Sequence, residues 1–175
     1  MKFELQEMTQ ETINAMKDRV ERNSTQIDEI VNGIIQPYCK DLDRYVLFIR
    51  DCLKDGENPP TTDELDDFCL NLSTYIYFAG GMCEQLGIRD DIAKAVYKET
   101  YNTSRDNLTT GTVQDKNTLA ELAAQQEQLV SICYTRAYKV VKAKVDNAQE
   151  LLSSCKKAVS RRMQEQQLTN MMGGK

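Results

Sequence analysis

The longest part of the chain without a helix-breaking residue is residues 112–172, which contain neither proline nor glycine. These two residue types disfavour helix interiors more than any others. Apolar residues recur from Leu119 to Met163 with a mean step of about 3.67 residues, which is typical of an eleven-residue repeat on a nearly straight helix. Gln126 and Lys144 are the polar members of this stripe. The pattern predicts a long C-terminal helix over residues 112–168, followed by a flexible tail over residues 169–175.

Earlier helix starts are indicated by capping boxes. In this motif a Thr side chain and an acidic side chain three residues later each bond the other's backbone N–H. Thr25 with Asp28 predicts one helix start, and Thr61 with Glu64 predicts the next. The segment DGENPPTT at residues 55–62 reads as a loop between them, because Gly and Pro disrupt helical backbone.

Proline and glycine also predict where these helices bend or end. Pro37 cannot donate a backbone hydrogen bond and its ring clashes with the carbonyl four residues earlier, so we expect a kink or a break there. Gly87 fits the residue after a helix C-terminus, and Asp90 fits the cap of a further short helix. The pair Gly80-Gly81 indicates a close approach of two helices or a local bend, in preference to a ligand-binding loop.

These patterns predict an all-α fold, an elongated helical bundle of four or five helices with a long C-terminal helix. The chain divides into an acidic N-terminal helical region at residues 1–111, a long basic C-terminal helix at residues 112–168, and the tail at residues 169–175. The long helix is expected to pack on the earlier helices at its start, and to project or pair with another copy at its end.

Several classes of protein are disfavoured by what the sequence lacks. It has no His and none of the glycine-rich phosphate-binding or nucleophile-elbow motifs, so we expect no enzyme, no catalytic residue and no cofactor. Its six Cys include no C-x-x-C pair, so we expect buried, reduced cysteines and no metal site. No apolar run approaches the roughly 18 residues of a membrane span, and the N-terminus lacks a signal-peptide core. A cytoplasmic location is therefore expected.

Charge is distributed unevenly along the chain. Residues 1–100 hold 11 Lys/Arg against 20 Asp/Glu, whereas residues 101–175 hold 11 Lys/Arg against 7 Asp/Glu. Within residues 136–162 only Asp146 and Glu150 oppose eight basic residues. Such asymmetry favours contact of the basic half with an anion.

The basic residues of the long helix are therefore the candidate site. If the apolar stripe is buried, most of these side chains lie on the outer face, where they could meet phosphates. Tyr134 and Tyr138 lie close in sequence and could stack on the bases of a single strand. The same face could instead bind an acidic surface of a neighbouring subunit, or it could simply be solvated. The candidate nucleic-acid-binding residues are Arg136, Lys139, Lys142, Lys156, Lys157, Arg161 and Arg162.

The C-terminal half resembles a known family. The segments AKAVYKETYN, DKNTLAEL, YTRAYKVVKAK and LLSSCKKAVSRRMQE are similar, over roughly residues 93–167, to the UvsY-like recombination mediators of tailed phages. The resemblance implies single-stranded DNA binding, a ring-shaped helical homo-oligomer, and loading of a recombinase onto DNA coated by single-strand-binding protein. Lys156, Lys157, Arg161 and Arg162 would inherit the DNA contacts, with Arg136, Lys139 and Lys142 as further candidates. The location implied is then the cytoplasm of a host cell.

The acidic half of the chain supports a second hypothesis, because the resemblance does not cover it. The protein could be a phage-derived helical adaptor or inhibitor, for example of a host nucleic-acid enzyme. In that case carboxylates would mimic nucleic acid or dock on a basic enzyme. The residues concerned are Asp63, Glu64, Asp66, Asp67, Asp90 and Asp91.

Overall fold

The computed structural model describes the backbone of residues 10–173 and the side chains of residues 12–172. Within this range the chain forms four α-helices and no strand. They are α1 (Gln10–Lys54), α2 (Thr62–Asp106), α3 (Val113–Ala123) and α4 (Gln125–Gly173). The predicted all-α bundle with a long C-terminal helix is confirmed. At 1.5 Å per residue, each of the three long helices extends about 70 Å.

Helices α1, α2 and α4 pack side by side, with α2 antiparallel to the other two. The direction of α2 against α4 follows from two contacts. Asp90 of α2 bonds Thr135 of α4, whereas Arg162 near the end of α4 reaches the carbonyl of Pro60 just before α2. The ion pair between Asp43 and Lys144 joins α1 to α4, and α3 packs mainly on α2.

The core consists of two clusters that follow one another along the bundle, and each takes residues from α1, α2 and α4. The first cluster is made of Val31, Ile35, Tyr38, Cys39, Cys83, Leu86, Cys133, Ala137 and Val141. The second cluster is made of Leu42, Ile49, Leu65, Phe68, Leu72, Ala79, Val145 and Ala148. The stripe predicted on the last helix is buried between Ala137 and Cys155, where it faces these clusters, but Leu119 and Met163 at its ends are exposed.

Helix α1 is longer than its local signals indicated. The predicted start at Thr25 is wrong, because the hydroxyl groups of Ser24 and Thr25 donate to the carbonyl of Glu21 inside a continuous helix. The helix also continues through Pro37 without a break. Tyr38 and Cys39, directly after Pro37, are buried against α2 and α4, so packing offsets the backbone bond that proline removes.

Helix α2 also passes through two predicted boundaries. It begins with the capping box of Thr61 and Glu64, as predicted. Gly87 is not the end of a helix, and Asp90 is not a cap, since both lie inside α2. A Cβ built on Gly87 would come within 3.2 Å of the Tyr138 ring. The close approach of helices therefore occurs at Gly87, whereas Gly80 and Gly81 have open space beside them.

The C-terminal region is two helices instead of one. The capping box of Thr112 and Asp115 begins α3, and Gly111 before it has a φ of 102°, a conformation that glycine adopts readily. At Ala124 the backbone leaves helical geometry, with φ −98° and ψ 12°. Ala124 is fully buried, so the interruption lies at a packed position. Helix α4 then continues to Gly173, which places residues 169–173 of the predicted tail in the helix.

Candidate nucleic-acid interface

The outer face of α4 carries basic side chains at two separate places along the helix. Buried residues such as Ala137, Val141 and Ala148 turn one side of α4 toward the bundle. With about 100° per residue, Lys139 lies on the opposite side, whereas Arg136 lies at the edge of the outer face, where it lines a groove with Asp28 of α1. All of the predicted site residues other than Arg162 are exposed.

These side chains form two patches. The first patch contains Arg136, Lys139 and Lys142, and the second contains Lys156, Lys157 and Arg161. Asp146 and Glu150 lie between them, on the same outer side of the helix. Lys139 and Lys157 are about 27 Å apart along the axis at 1.5 Å per residue. The basic face is thus divided by two carboxylates.

Most of these cations form no ion pair with the described part of the chain. In the first patch no carboxylate of residues 12–172 lies within ion-pair distance of a basic group, and the same is true of Lys156 and Lys157. Arg161 faces Glu165 one turn later, with 3.7 Å between Nε and Oε1, and both side chains are largely exposed. An exposed pair of this kind contributes little to stability, so it leaves Arg161 available to an anion.

Arg162 does not belong to this face. Its guanidinium donates to the carbonyl oxygen of Pro60, in the loop between α1 and α2, and the side chain is partly buried. The reason is helical geometry, because Arg162 follows the buried Cys155 by seven residues and so lies on the same side of α4. We assign Arg162 to holding the loop against α4. The expectation that it contacts phosphate alongside Arg161 is therefore disfavoured.

The tyrosines predicted to stack on bases are not on the outer face either. Tyr134 and Tyr138 are half-buried and pack against the first core cluster. Tyr97 and Tyr101 contact one another with ring centroids 6.5 Å apart, and both are partly buried. Among residues 12–172, the aromatic rings with the greatest exposure are Tyr77 and Phe78 on α2. The exposed basic residues between Arg136 and Arg161 therefore have no exposed aromatic side chain beside them on α4.

The acidic residues of the second hypothesis have mixed roles. Glu64 accepts the backbone N–H of Thr61 in the capping box, and this bond lowers the pKa of its carboxyl. Asp90 is buried and bonded within the bundle. Asp63, Asp66 and Asp67 are exposed at the start of α2. Asp91 is exposed as well, 3.9 Å from Lys94.

All six cysteines are free thiols, as predicted, and every one except the partly exposed Cys52 is buried. Burial, with the nearby Asp43 adding to it, raises the pKa of Cys39 to about 11. A thiol of this kind stays protonated at neutral pH and is a poor nucleophile. Among residues 12–172, no group of three or more Cys, Asp or Glu side chains is placed to hold a metal ion.

Within the part of the chain that the structure covers, no helix combines the length and the apolarity that a membrane crossing requires. Comparison with protein-family models, with curated proteins and with solved structures found no match for this chain. The resemblance to the UvsY-like mediators therefore stays a prediction.

Proposed function

We propose that the protein is a non-enzymatic mediator that binds single-stranded DNA through the outer face of α4 and acts as a homo-oligomer. The observation that supports DNA binding most is the set of exposed basic side chains on α4 for which the bundle supplies no ion-pair partner. Cations of this kind release condensed counterions when they meet phosphates, which favours binding. The role in loading a recombinase, with a recombinase or a single-strand-binding protein as partner, rests on the family resemblance.

The arrangement favours a flexible strand over a rigid duplex. The two patches are about 27 Å apart along α4 and are separated by Asp146 and Glu150. A single strand can bend away from the two carboxylates between its contacts, whereas a duplex laid along the helix would bring phosphates close to them. We therefore expect stronger binding to single strands than to duplex.

Fluorescence anisotropy of a labelled single-stranded oligonucleotide tests this proposal. We expect saturable binding whose affinity falls steeply with salt, because log K falls by about 0.7 per neutralised phosphate for each unit of log salt concentration. Reversing either patch to Glu should weaken binding by about tenfold or more at low salt. Arg162 is left unchanged in these variants because it supports the fold. Circular dichroism should show unchanged helicity.

The matched control reverses three exposed cations elsewhere, Lys17, Arg19 and Arg22 of α1. This variant has the same net charge as either patch variant. If charge alone governs affinity, the control weakens binding as much as the patch variants do, and α4 is not the interface. If no saturable binding occurs even at low salt, the protein does not bind DNA.

The adaptor hypothesis stays as a second proposal, since Asp63, Asp66 and Asp67 are exposed and form no ion pair with the described residues. In this proposal the three carboxylates would dock on a basic enzyme. Changing all three to Asn should then abolish capture of that enzyme, while the α4 patch variants should retain it.

A further inference from the structure

Helix α2 is apolar on its outer side as well as its inner side. Its inner side fills both core clusters. Its outer side exposes Leu70 (68%), Tyr77 (77%), Phe78 (62%), Ile88 (60%) and Ile92 (57%). Large apolar side chains that are exposed on one side of a helix indicate an interaction surface. Nothing in the described part of the chain covers this side of α2.

Residues of the outer stripe lie at equal distances along the chain on either side of Gly81. Tyr77 precedes it by four residues and Gln85 follows it by four, Thr74 and Ile88 are seven residues away on either side, and Leu70 and Ile92 are eleven away. Steps of four, seven and eleven residues keep all of these positions on one face of a helix. In a second copy that runs in the reverse direction about Gly81, this spacing brings each of these positions opposite its counterpart, and Leu70 with Ile92 is the pair in which both side chains are aliphatic.

Among the described residues, no side chain packs closely on Gly80 or Gly81. A Cβ at either position would meet no atom within 4 Å. Glycine lowers helix stability relative to alanine, so two glycines in the middle of a 45-residue helix are unfavourable unless something else requires them. The absence of a side chain lets another helix approach closely, since the distance between helix axes depends on the side chains at the contact.

We propose that two copies of the protein pair through the outer faces of α2 in antiparallel orientation, with the two-fold axis passing beside Gly81. In this register Gly81 meets the partner's Gly81, and Leu70 packs against the partner's Ile92. Thr74 packs against the partner's Ile88, and Tyr77 lies over the partner's Gln85. The interface is isologous, as is usual for homodimers.

In this register Asp66 lies near the partner's Lys98, whereas Asp63 faces the partner's Glu99, since these two exposed carboxylates lie eighteen residues on either side of Gly81. Asp66 and Lys98 are both exposed and pair with no described residue. They lie on the same flank of the outer face, fifteen residues before Gly81 and seventeen after it. The same flanks meet in an antiparallel pair, so each copy brings its Asp66 near the partner's Lys98.

The exposed area of this side of α2 is of the same order as the area that one partner buries in a standard protein interface. Aromatic side chains offer about 150–250 Å² each, so Tyr77 and Phe78 at their exposures contribute roughly 280 Å² per copy. A standard interface takes about 800 Å² from each partner. The three aliphatic residues of the stripe and the polar flanks extend the contact along about 48 Å of helix between Asp66 and Lys98.

This inference specifies the self-association that the proposed function includes, but it rests on α2 alone. It is measured without DNA, and DNA binding is measured separately. Loss of one property therefore does not imply loss of the other.

The first test replaces Gly81 by Leu and measures mass by sedimentation velocity over a range of concentrations. Leucine favours the helix but would separate the two copies, so we expect the dimer dissociation constant to rise about tenfold or more while the monomer stays folded. The matched control is Gly33→Leu in α1, which also has open space around it and should leave the dimer intact. A wild-type protein that stays monomeric, or a dimer that survives Gly81→Leu, would overturn the proposal.

The second test distinguishes the orientation. In an antiparallel dimer Gly81→Cys places two thiols at the axis, so mild oxidation should link the copies. Leu70→Cys places its thiol about 33 Å along the axis from the partner's Cys at the same position, so no link should form. The wild-type protein under the same oxidant gives the background from its native thiols. Equal cross-linking of both variants would show that the antiparallel register is wrong.

Discussion

Among the described residues, Asp90 is the least exposed charged residue, at 3% exposure. Thr135 of α4 donates to Oδ1 at 2.5 Å, and Lys94 donates to Oδ2 at 2.7 Å. Burial acts to raise the pKa of the carboxyl, but these hydrogen bonds outweigh it and hold the pKa below its usual value. The ionised form therefore stabilises the fold and joins α2 to α4.

Replacing Asp90 by Asn should lower the free energy of unfolding by about 1–3 kcal/mol at pH 7, since it weakens a buried charge-assisted network. Because the folded pKa is depressed, the contribution of Asp90 is fully present above the unfolded pKa of about 3.9 and is lost as pH falls through the folded pKa. Urea unfolding at pH 7 and below pH 4 measures both effects.

The control for this prediction is Asp91→Asn, whose side chain is 82% exposed and which should change the unfolding free energy by less than about 0.5 kcal/mol. If the two variants behave alike, or if the effect of Asp90→Asn persists undiminished in acid, the buried network does not stabilise the protein as described.

Helix α1 extends beyond the part of the bundle that packs against it. Its side chains from residue 14 to residue 26 are all exposed, including Met16 and Val20. From Val31 onward it contributes to both core clusters. The two parts of this single helix therefore differ in their contribution to stability.

Proline substitution separates these two parts. Val20→Pro should reduce the helical signal in circular dichroism but leave the cooperative unfolding of the bundle near its wild-type temperature. Val46→Pro, within the packed part of the same helix, should destabilise the protein by about 3 kcal/mol or more. An equal loss of stability in the two variants would mean that the start of α1 belongs to the cooperative unit.

The two core clusters are built from the same three helices. Each contains residues of α1, α2 and α4, so neither can unfold without releasing the helices that hold the other. We therefore expect one cooperative transition for the bundle.

Leu86→Ala in the first cluster and Leu72→Ala in the second should each lower the free energy of unfolding by about 2–5 kcal/mol. Both side chains are fully buried. Tyrosine fluorescence and circular dichroism should report the same midpoint in each variant, whereas independent clusters would give two. Leu122→Ala in α3, where the side chain is 63% exposed, is the control and should have little effect.

Helix type, the capping box at Thr61, the helix start near residue 112 and the buried thiols were all predictable from local pattern. The helix boundaries predicted at Thr25, Gly87 and Asp90 were wrong, and the reason is energetic. A capping residue or an unfavourable glycine changes helix stability by about 1 kcal/mol, whereas each apolar side chain buried on a neighbouring helix contributes about 1.5–3 kcal/mol. Burial of apolar side chains therefore keeps α1 and α2 helical across the residues that locally disfavour helix.

The distribution of charge and the helical period are properties of the sequence, because each depends only on residue type and order. The availability of a charged side chain depends on what the other helices place beside it. Arg161 and Arg162 are neighbours in sequence, but a turn of about 100° per residue exposes the first and leaves the second against Pro60. The same dependence buries Asp90 and half-buries Tyr134, and among the described residues it leaves large apolar side chains exposed on the outer side of α2.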